Sequence, residues 1–175
     1  MYQGQLVRLR EYRKEDIEKA KEFLNDFEVR KNLQIGVPYP YTLEDEEKWY
    51  SNVSAVKDTY TFALETLEGL YIGGCGINQI DWKNRKAVIG IFIGDKEYWS
   101  KGYGSDAINT LVKFIFEEIN VNKIALCVYS FNERAIKCYE KCGFTREGVL
   151  REELFRQGKY HDEILMSLLK REYYK

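Results

Sequence analysis

Two glycines separated by one residue, Gly102 and Gly104, precede a predicted helix in the stretch YWSKGYGSDAI (98–108). Glycine destabilises a helix interior, but it lets a backbone approach a ligand closely. A helix N-terminus carries unpaired N–H groups and about half a positive charge, which together favour phosphate binding. Lys101 adds a cation beside them. The stretch therefore predicts either a structural turn or a pyrophosphate site.

Two common phosphate-binding motifs do not match this stretch. The Walker pattern GxxxxGK[ST] does not occur in the chain. The dinucleotide pattern GxGxxG fails because Gly104 is followed by Ser-Asp-Ala, and because no acidic ribose-binding residue ends the next predicted strand, 123–131. The glycines alone leave the structural loop and the phosphate site as open alternatives.

A second candidate site lies in the segment NERAIKCYEKCGF (132–144). Asn132 is a favourable N-cap and Gly143 a favourable residue just past a helix end, so a short helix is predicted over 133–142. Tyr139 lies near the middle of this helix, offset from its apolar face. If the two preceding strands are neighbours, its phenol points into the cleft between them. The alternative is that Tyr139 is one of many tyrosines that fill space.

Hydrophobic periodicity predicts the elements that position these residues. Strands are predicted at 6–10, 59–67, 70–80, 87–94 and 123–131, and two long strands within 149–169 are joined by a turn at Gln157–Gly158. Helices are predicted at 14–33, from a Thr42–Asp45 capping box through Val56, at 105–118 and at 133–142. This order predicts a single α/β domain over 1–175, in which about four helices flank a mixed sheet of about seven strands. Its C-terminal half contains a parallel βαβαβ segment, whose crossover is expected to bind a ligand.

Composition excludes several classes of function. The chain has 27 basic and 28 acidic residues, a balance that argues against nucleic acid as the main partner. No segment approaches the ~18–20 apolar residues of a membrane span, and the N-terminal residues are too polar for a secretory signal. The four cysteines form no CxxC pair and the chain has a single histidine, so no metal site is expected. The cysteines are predicted to be reduced, mostly buried thiols of a cytoplasmic protein.

In their order and spacing these residues resemble the GNAT superfamily of acetyl-CoA-dependent N-acetyltransferases. The resemblance rests on KGYGSDA (101–107) and on the pattern N-x-x-A-x-x-x-Y-x-K-x-G-F (132–144). The opening VRLREYRKEDIEKA (7–20) and the close EGVLREELFRQGKYHDEILMSLL (147–169) are similar to one branch of it. That branch contains ribosomal-protein N-terminal acetyltransferases and bacterial spermidine/spermine N-acetyltransferases.

The resemblance implies that acetyl-CoA is the acetyl donor and that it binds one strand edge, one loop and the start of the last helix. The residues implied are Ile91, Phe92 and Ile93 on the strand, Lys101, Gly102, Tyr103, Gly104 and Ser105 in the loop, and Asn132 on the helix. Tyr139 would lie near the thioester sulfur and protonate the leaving thiolate while the neutral amine attacks directly. The acceptor implied is a primary amine: a polyamine, a small amine or a protein N-terminus. A homodimer or higher homo-oligomer is compatible with this assignment.

Two positions depart from the family pattern. Trp99 stands where Gln or Arg is usual, which removes one side-chain contact but keeps the backbone donors. Val88 stands where many members of the branch carry Glu, so a candidate proton acceptor is missing. For the general base this leaves His161, the acidic residues of 152–153 and 162–163, or a water chain as alternatives.

The acceptor side of the predicted site is less defined. The run Glu44–Glu47 either attracts a cationic amine or complements the dipole of the helix that it begins, and the second interpretation is favoured. Aromatic residues nearby either line a groove or simply pack: Tyr39, Tyr41, Trp49 and Tyr50. A non-catalytic module that only binds acyl-CoA is the main alternative function, and a nucleotide phosphoryl-transfer enzyme is the third.

Overall fold

The computed structural model describes residues 2–33, 36–53 and 57–175. These residues form one eight-stranded mixed sheet with the strand order β1-β2-β3-β4-β5-β6-β8-β7. The strands are β1 (Tyr2–Gln3), β2 (Val7–Arg10), β3 (Tyr60–Thr66), β4 (Tyr71–Asp81), β5 (Lys86–Ile93), β6 (Lys123–Tyr129), β7 (Thr145–Arg156) and β8 (Lys159–Leu169). The helices are α1 (Asp16–Asn25), α2 (Phe27–Arg30), α3 (Leu43–Asn52), α4 (Tyr103–Phe114), α5 (Glu133–Lys141) and α6 (Lys170–Tyr173).

The predicted mixed α/β class and the parallel pairing of the crossover strands, β5 and β6, are confirmed. The described residues contain eight strands and six helices where about seven and about four were expected, partly because β1 adds a short pairing to β2. The last strand of the predicted βαβαβ segment, β7, is not adjacent to β6. Instead β8 lies between them, because it turns back from β7 at Gln157–Gly158, where both residues have positive φ.

The helix predicted over 14–33 is divided at Asp26. The backbone of Asp26 is extended, with φ −71° and ψ 122°, and its carboxylate accepts a hydrogen bond from the N–H of Glu28. This capping contact starts α2 as a separate short helix. The capping box of Thr42 and Asp45 at the start of α3 is confirmed, whereas Val56 lies outside the described residues. None of the described helices is long and apolar enough to cross a bilayer.

The two faces of the sheet carry different helices. The main hydrophobic core joins the sheet to α4 and α5 through residues such as Ile108, Leu111 and Ile136. The buried α1 residues Ile17 and Phe23 lie outside this core. Since α1 contacts α3 and packs on β4, helices α1–α3 form a second layer, and the sheet separates it from α4 and α5.

The parallel strands β5 and β6 separate soon after they meet. They pair only from Lys86 to Val88 on β5 and from Lys123 to Ala125 on β6, as far as the described residues show. Beyond this point β5 continues along β4, and β6 continues along β8. The β5 edge from Ile89 to Ile93 therefore faces an opening in the middle of the sheet.

Glycines on β4 and β5 leave the sheet surface without side chains beside this opening. Gly76 of β4 lies opposite Gly90 of β5. A Cβ at Gly74 would clash with the Tyr12 hydroxyl, and a Cβ at Gly90 would lie 2.9 Å from the side-chain nitrogen of Asn78. The glycines of β4 and β5 thus let these polar side chains approach the sheet surface next to the opening.

Candidate active site

A cavity of about 730 Å³ passes through the opening between β5 and β6. Its α4–α5 half is lined by residues of the loop before α4 and of α5, including Ser100, Gly102, Gly104, Ser105, Asn132 and Tyr139. Its α1–α3 half is lined by residues that include Tyr12, Leu24, Tyr41, Glu46, Trp49 and Tyr71. The β5 residues from Val88 to Ile93 lie between the two halves. Two reactants can therefore reach the same strand edge from opposite faces of the sheet.

The loop before α4 has the geometry of an anion-binding helix start. Gly102 is the N-cap of α4 and has a φ of 91°, a left-handed conformation that favours glycine. The helix begins at Tyr103, slightly earlier than the predicted Ser105. The N–H of Asp106 is the first to donate within the helix, to the Gly102 carbonyl. The N–H groups of residues 103–105 precede that bond and are available to an anion.

The remaining residues that the sequence analysis assigns to acetyl-CoA divide into two groups. Ile91, Phe92, Ile93 and Asn132 line the cavity, together with the loop residues already named. Lys101 and Tyr103 are not among the described lining residues. The Tyr103 ring instead packs edge-on against Tyr98, with centroids 4.8 Å apart. The cation that the sequence analysis places at Lys101 is therefore not among the described side chains of the cavity, and for these two residues the backbone N–H groups are the remaining candidate contacts.

Trp99 fixes the loop to the end of β5. Its indole N–H donates to the carbonyl oxygen of Ile93 at 2.8 Å. The guanidinium carbon of Arg134 lies 3.5 Å from the centroid of its ring, within range of a cation–π interaction. Both residues line the cavity. The side chain that departs from the family pattern thus places a positive charge beside the loop.

Tyr139 lies in the α5 wall of the cavity, where the sequence analysis expects it. The residue is 7% exposed, and its ring centroid lies 6.0 Å from that of Phe144. Burial raises the pKa of its hydroxyl well above the ordinary value, and Cys138 and Cys142 raise it further. The phenol therefore keeps its proton at neutral pH.

Cys138 and Cys142 lie one helical turn apart behind the loop. The Cys138 Sγ is 3.4 Å from the Ser105 Oγ, and the Cys142 thiol donates to the Ser105 carbonyl at 3.6 Å. The hydrogen bond from Cys142 lowers the pKa of Cys138 below the ordinary value for a thiol. The described cysteines are thiols, but the expectation that most are buried is wrong. Only Cys75 is buried, whereas Cys127 is exposed and Cys138 and Cys142 are half-buried.

The α1–α3 half combines aromatic rings with one buried carboxylate. The Tyr12 ring lies edge-on to Trp49 at 4.8 Å, and 5.9 Å from the Tyr71 ring. Glu46 is 5% exposed and lines this half. Burial raises the pKa of its carboxyl group. The interpretation of Glu44–Glu47 as a run that complements the helix dipole fits Asp45, which caps α3. It does not account for the buried Glu46. The sequence signal for Glu46 was its i, i+3 spacing to Trp49, which places both side chains on one face of α3.

The candidates for a general base lie away from the β5 edge. His161 approaches the Arg156 carbonyl at 3.2 Å, and its ring centroid lies 4.9 Å from that of Phe131. Glu152, Glu153 and Asp162 line a separate depression at the β7–β8 hairpin, and Glu163 is buried on β8. In the described part of the chain, none of them lines the cavity. No metal-binding group of three or more His, Cys, Asp or Glu occurs among these described residues.

Known proteins share this architecture. The family model described as "Acetyltransferase (GNAT) domain" matches residues 7–145. The uncharacterized N-acetyltransferase p20 of Bacillus licheniformis is 33% identical over 172 residues, 94% of this chain and 93% of that protein. The spermidine N(1)-acetyltransferase of Vibrio cholerae is 33% identical over 135 residues, 77% of this chain and 78% of that protein. A crystal structure of spermidine N-acetyltransferase from Vibrio cholerae with CoA and spermine gives a TM-score of 0.86 at 28% identity, covering 97% of this chain and 98% of that chain.

Proposed function

The chain belongs to the GNAT acetyltransferases, and from that premise we propose that it acetylates a primary amine of a small molecule at the β5 edge. It is an acetyl-CoA-dependent N-acetyltransferase. The observation that carries the proposal is the separation of β5 from β6 after Val88 and Ala125, with one cavity passing through the opening. The sequence match and the structural match to spermidine N-acetyltransferase from Vibrio cholerae support a polyamine or another small amine over a protein N-terminus.

The residues present fit the chemistry of acetyl-CoA. The β5 edge, including Ile91, Phe92 and Ile93, offers backbone groups that face the opening, and pantetheine carries amides that pair with such groups. The N–H groups of residues 101–105 are assigned to the pyrophosphate. Basic residues of α5 that line the same half, Arg134, Lys137 and Lys141, supply complementary charge. Asn132, which caps α5 by accepting from the Ala135 N–H at 3.3 Å, is assigned to the CoA arm.

Acetyl transfer to nitrogen forms a C–N bond and breaks the C–S bond of the thioester. An alkylammonium with a pKa near ~10.4 must lose its proton before it attacks. We assign Tyr139 as the general acid, because its raised pKa keeps a proton available for the leaving thiolate. A backbone N–H of the β5 edge is assigned to the developing oxyanion. The amine proton is assigned to a water chain through the α1–α3 half, since the titratable candidates of the β7–β8 hairpin lie elsewhere.

The proposal includes an organisation and a compartment. One sheet contains all eight described strands, the first starting at residue 2 and the last ending at residue 169. This supports a single acetyltransferase domain over 1–175. Exposed apolar side chains on the β7–β8 hairpin, including Val149, Phe155 and Tyr160, support a homodimer or higher homo-oligomer. Thiols rather than disulfides support a cytoplasmic location.

The test is the release of CoA thiol from acetyl-CoA over a panel of acceptors: spermidine, diamines, monoamines, an amino sugar and a short peptide. Acceptor-dependent release with the small amines is expected. Tight CoA binding without acceptor-dependent release would overturn the proposal and favour a module that only binds acyl-CoA. Thermal stabilisation by Mg-ATP rather than by acetyl-CoA would instead favour phosphoryl transfer.

A further inference from the structure

We propose that Glu46 recognises a second cationic group of the acceptor and thereby makes the protein selective for diamines and polyamines over monoamines. The inference rests on the proposed function, since it assigns the α1–α3 half of the cavity to the amine. It adds a specificity-determining residue that contacts the acceptor away from the reacting nitrogen.

The first argument is that Glu46 is a buried residue whose carboxylate has no partner among the described residues. Glu46 is 5% exposed, and within the described residues no hydrogen bond or ion pair reaches its carboxylate. Two other buried carboxylates, Asp16 and Glu65, both pair with Arg10, at 2.7 and 2.5 Å. An ionised carboxylate without a partner is costly to bury. A ligand cation in the cavity would supply the charge that Arg10 supplies elsewhere.

The second argument is a hydroxyl that lies in the same situation. The Tyr71 hydroxyl is buried and makes no hydrogen bond of normal geometry with the described residues. Burial raises the pKa of this hydroxyl most, the neighbouring Tyr12 hydroxyl lowers it, and the charges of Asp16 and Glu46 raise it further. Two polar groups that can accept hydrogen bonds therefore lie at one end of the cavity. An ammonium carries three donors and no acceptor, so it matches both groups at once.

The third argument is the aromatic wall around these groups. Trp49 follows Glu46 by about one helical turn and packs edge-on against Tyr12. Trp49 is 39% exposed, so this end of the cavity opens to solvent. Aromatic faces attract cations once these lose part of their water. A flexible amine with an apolar carbon chain and a charged end fits such a wall.

The fourth argument is the separation of charge along the cavity. Of the lining residues that the structure describes, the basic ones are Arg134, Lys137 and Lys141, all on α5, and the acidic one is Glu46 on α3. The basic side faces the loop assigned to the CoA phosphates. The opposite half thus complements a positively charged reactant.

The position of Glu46 also separates it from the reacting amine. On β4, Gly73 lies opposite Ile93, the last residue of β5, and Tyr71 lies beyond that pair. A ligand group that contacts Tyr71 and Glu46 therefore lies past the end of the β5 edge. The attacking nitrogen must reach that edge itself, so Glu46 binds a different charge of the same molecule.

The experiment compares Glu46→Gln with Glu47→Gln, which removes the same charge from an exposed position of α3. Steady-state kinetics are measured with a linear diamine and with the monoamine of equal chain length. Glu46→Gln is expected to lower kcat/KM for the diamine by ~10- to 100-fold, the loss of a hydrogen bond to a charged group. The monoamine and acetyl-CoA parameters are expected to change less than about twofold, and Glu47→Gln to behave like the unmodified chain.

Several results would overturn the inference. These are an unchanged diamine preference in Glu46→Gln, an equal loss with both amines, or an equal loss in Glu47→Gln. If Glu46→Gln does not fold, Glu46→Asp replaces it, because a shorter carboxylate should reduce the diamine preference, and an unchanged preference refutes the role. A failure of the unmodified chain to acetylate any amine would instead refute the proposed function.

Discussion

The guanidinium of Arg134 stacks over Trp99, 3.5 Å from the ring centroid, while the Trp99 indole holds the Ile93 carbonyl at 2.8 Å. One indole thus joins the end of β5, the loop before α4 and the first turn of α5. These are the three elements assigned to acetyl-CoA. Where the family usually has Gln or Arg, this chain has Trp99, whose ring is held by Ile93. The positive charge at this place comes instead from Arg134 on α5.

Trp99→Ala should weaken acetyl-CoA binding by about tenfold, because it removes one hydrogen bond and one cation–π contact. Trp99→Phe keeps a ring under Arg134 but loses the N–H, so it should cause a smaller loss. Titration calorimetry gives the Kd for each variant. Trp82→Ala is the control, since Trp82 is exposed and bonds to Asp58 away from the cavity. An unaltered Kd in Trp99→Ala would contradict the assigned role.

Tyr139→Phe should lower kcat by about 10- to 10⁴-fold, the range of lost general-acid catalysis. The ring remains in its buried site, so the Kd for acetyl-CoA should stay within about twofold. Stopped-flow or steady-state thiol release measures the chemical step, and Tyr174→Phe, at an exposed residue that does not line the cavity, serves as the control. Normal turnover in Tyr139→Phe would remove Tyr139 from the mechanism.

The pH dependence follows from the same residue. The acid form of Tyr139 is the active one, and its raised pKa lies above the ordinary tyrosine value of ~10. Between about pH 7 and 9 the rate should therefore rise as the amine loses its proton, without a decline from Tyr139. A descending limb in kcat below about pH 9 that disappears in Tyr139→Phe would show that its pKa is not raised.

Cys138 should react with iodoacetamide at a lower pH than an ordinary thiol, because the hydrogen bond from Cys142 lowers its pKa. Saturating acetyl-CoA should slow this reaction, since Cys138 contacts Ser105 of the assigned pyrophosphate loop. Mass spectrometry of the alkylated peptides measures both effects. Cys75 is the internal control, since burial raises its pKa and shields it. Equal alkylation of Cys138 with and without acetyl-CoA would count against the loop assignment.

Glu46→Gln should stabilise the free protein at neutral pH. Burial raises the pKa of Glu46 in the folded state, so the ionised group opposes folding above that pKa and has no effect below the unfolded value near ~4.3. We expect Tm to increase by about 2 °C at pH 7.5 and to match the unmodified chain near pH 4. Thermal unfolding by circular dichroism tests this. A lower Tm at pH 7.5 would mean that Glu46 has a stabilising partner.

Local signals were sufficient to predict the helix starts that border the α4–α5 half of the cavity. The caps of α4 and α5 depend on neighbours in sequence, namely the left-handed Gly102 and the side chain of Asn132. These caps fix the first turn of α4, which lies in the crossover from β5 to β6, and the start of α5, which follows β6 and carries Tyr139. The parallel pairing of β5 and β6 is consistent with the helical crossover that joins them, since parallel neighbours need such a connection.

The acceptor side depends on contacts that sequence spacing does not specify. Glu46 and Asp45 are neighbours in one acidic run, but only the packing of α3 beside α1 and β4 decides which of them is buried. The position of β8 between β6 and β7 is likewise a tertiary outcome, since a hairpin can pair by either of its edges. The break between α1 and α2 at Asp26 could have been predicted from the sequence, because aspartate is a common N-cap.

The β5 edge that faces the opening has a consequence for inhibition. Ile89 to Ile93 present a row of main-chain donors and acceptors in the middle of a sheet, protected from other proteins by the helices on either face. A short pseudopeptide with alternating amides adds to such an edge as an extra strand. Because this recognition uses backbone groups, side-chain substitutions along β5 would not readily produce resistance to it.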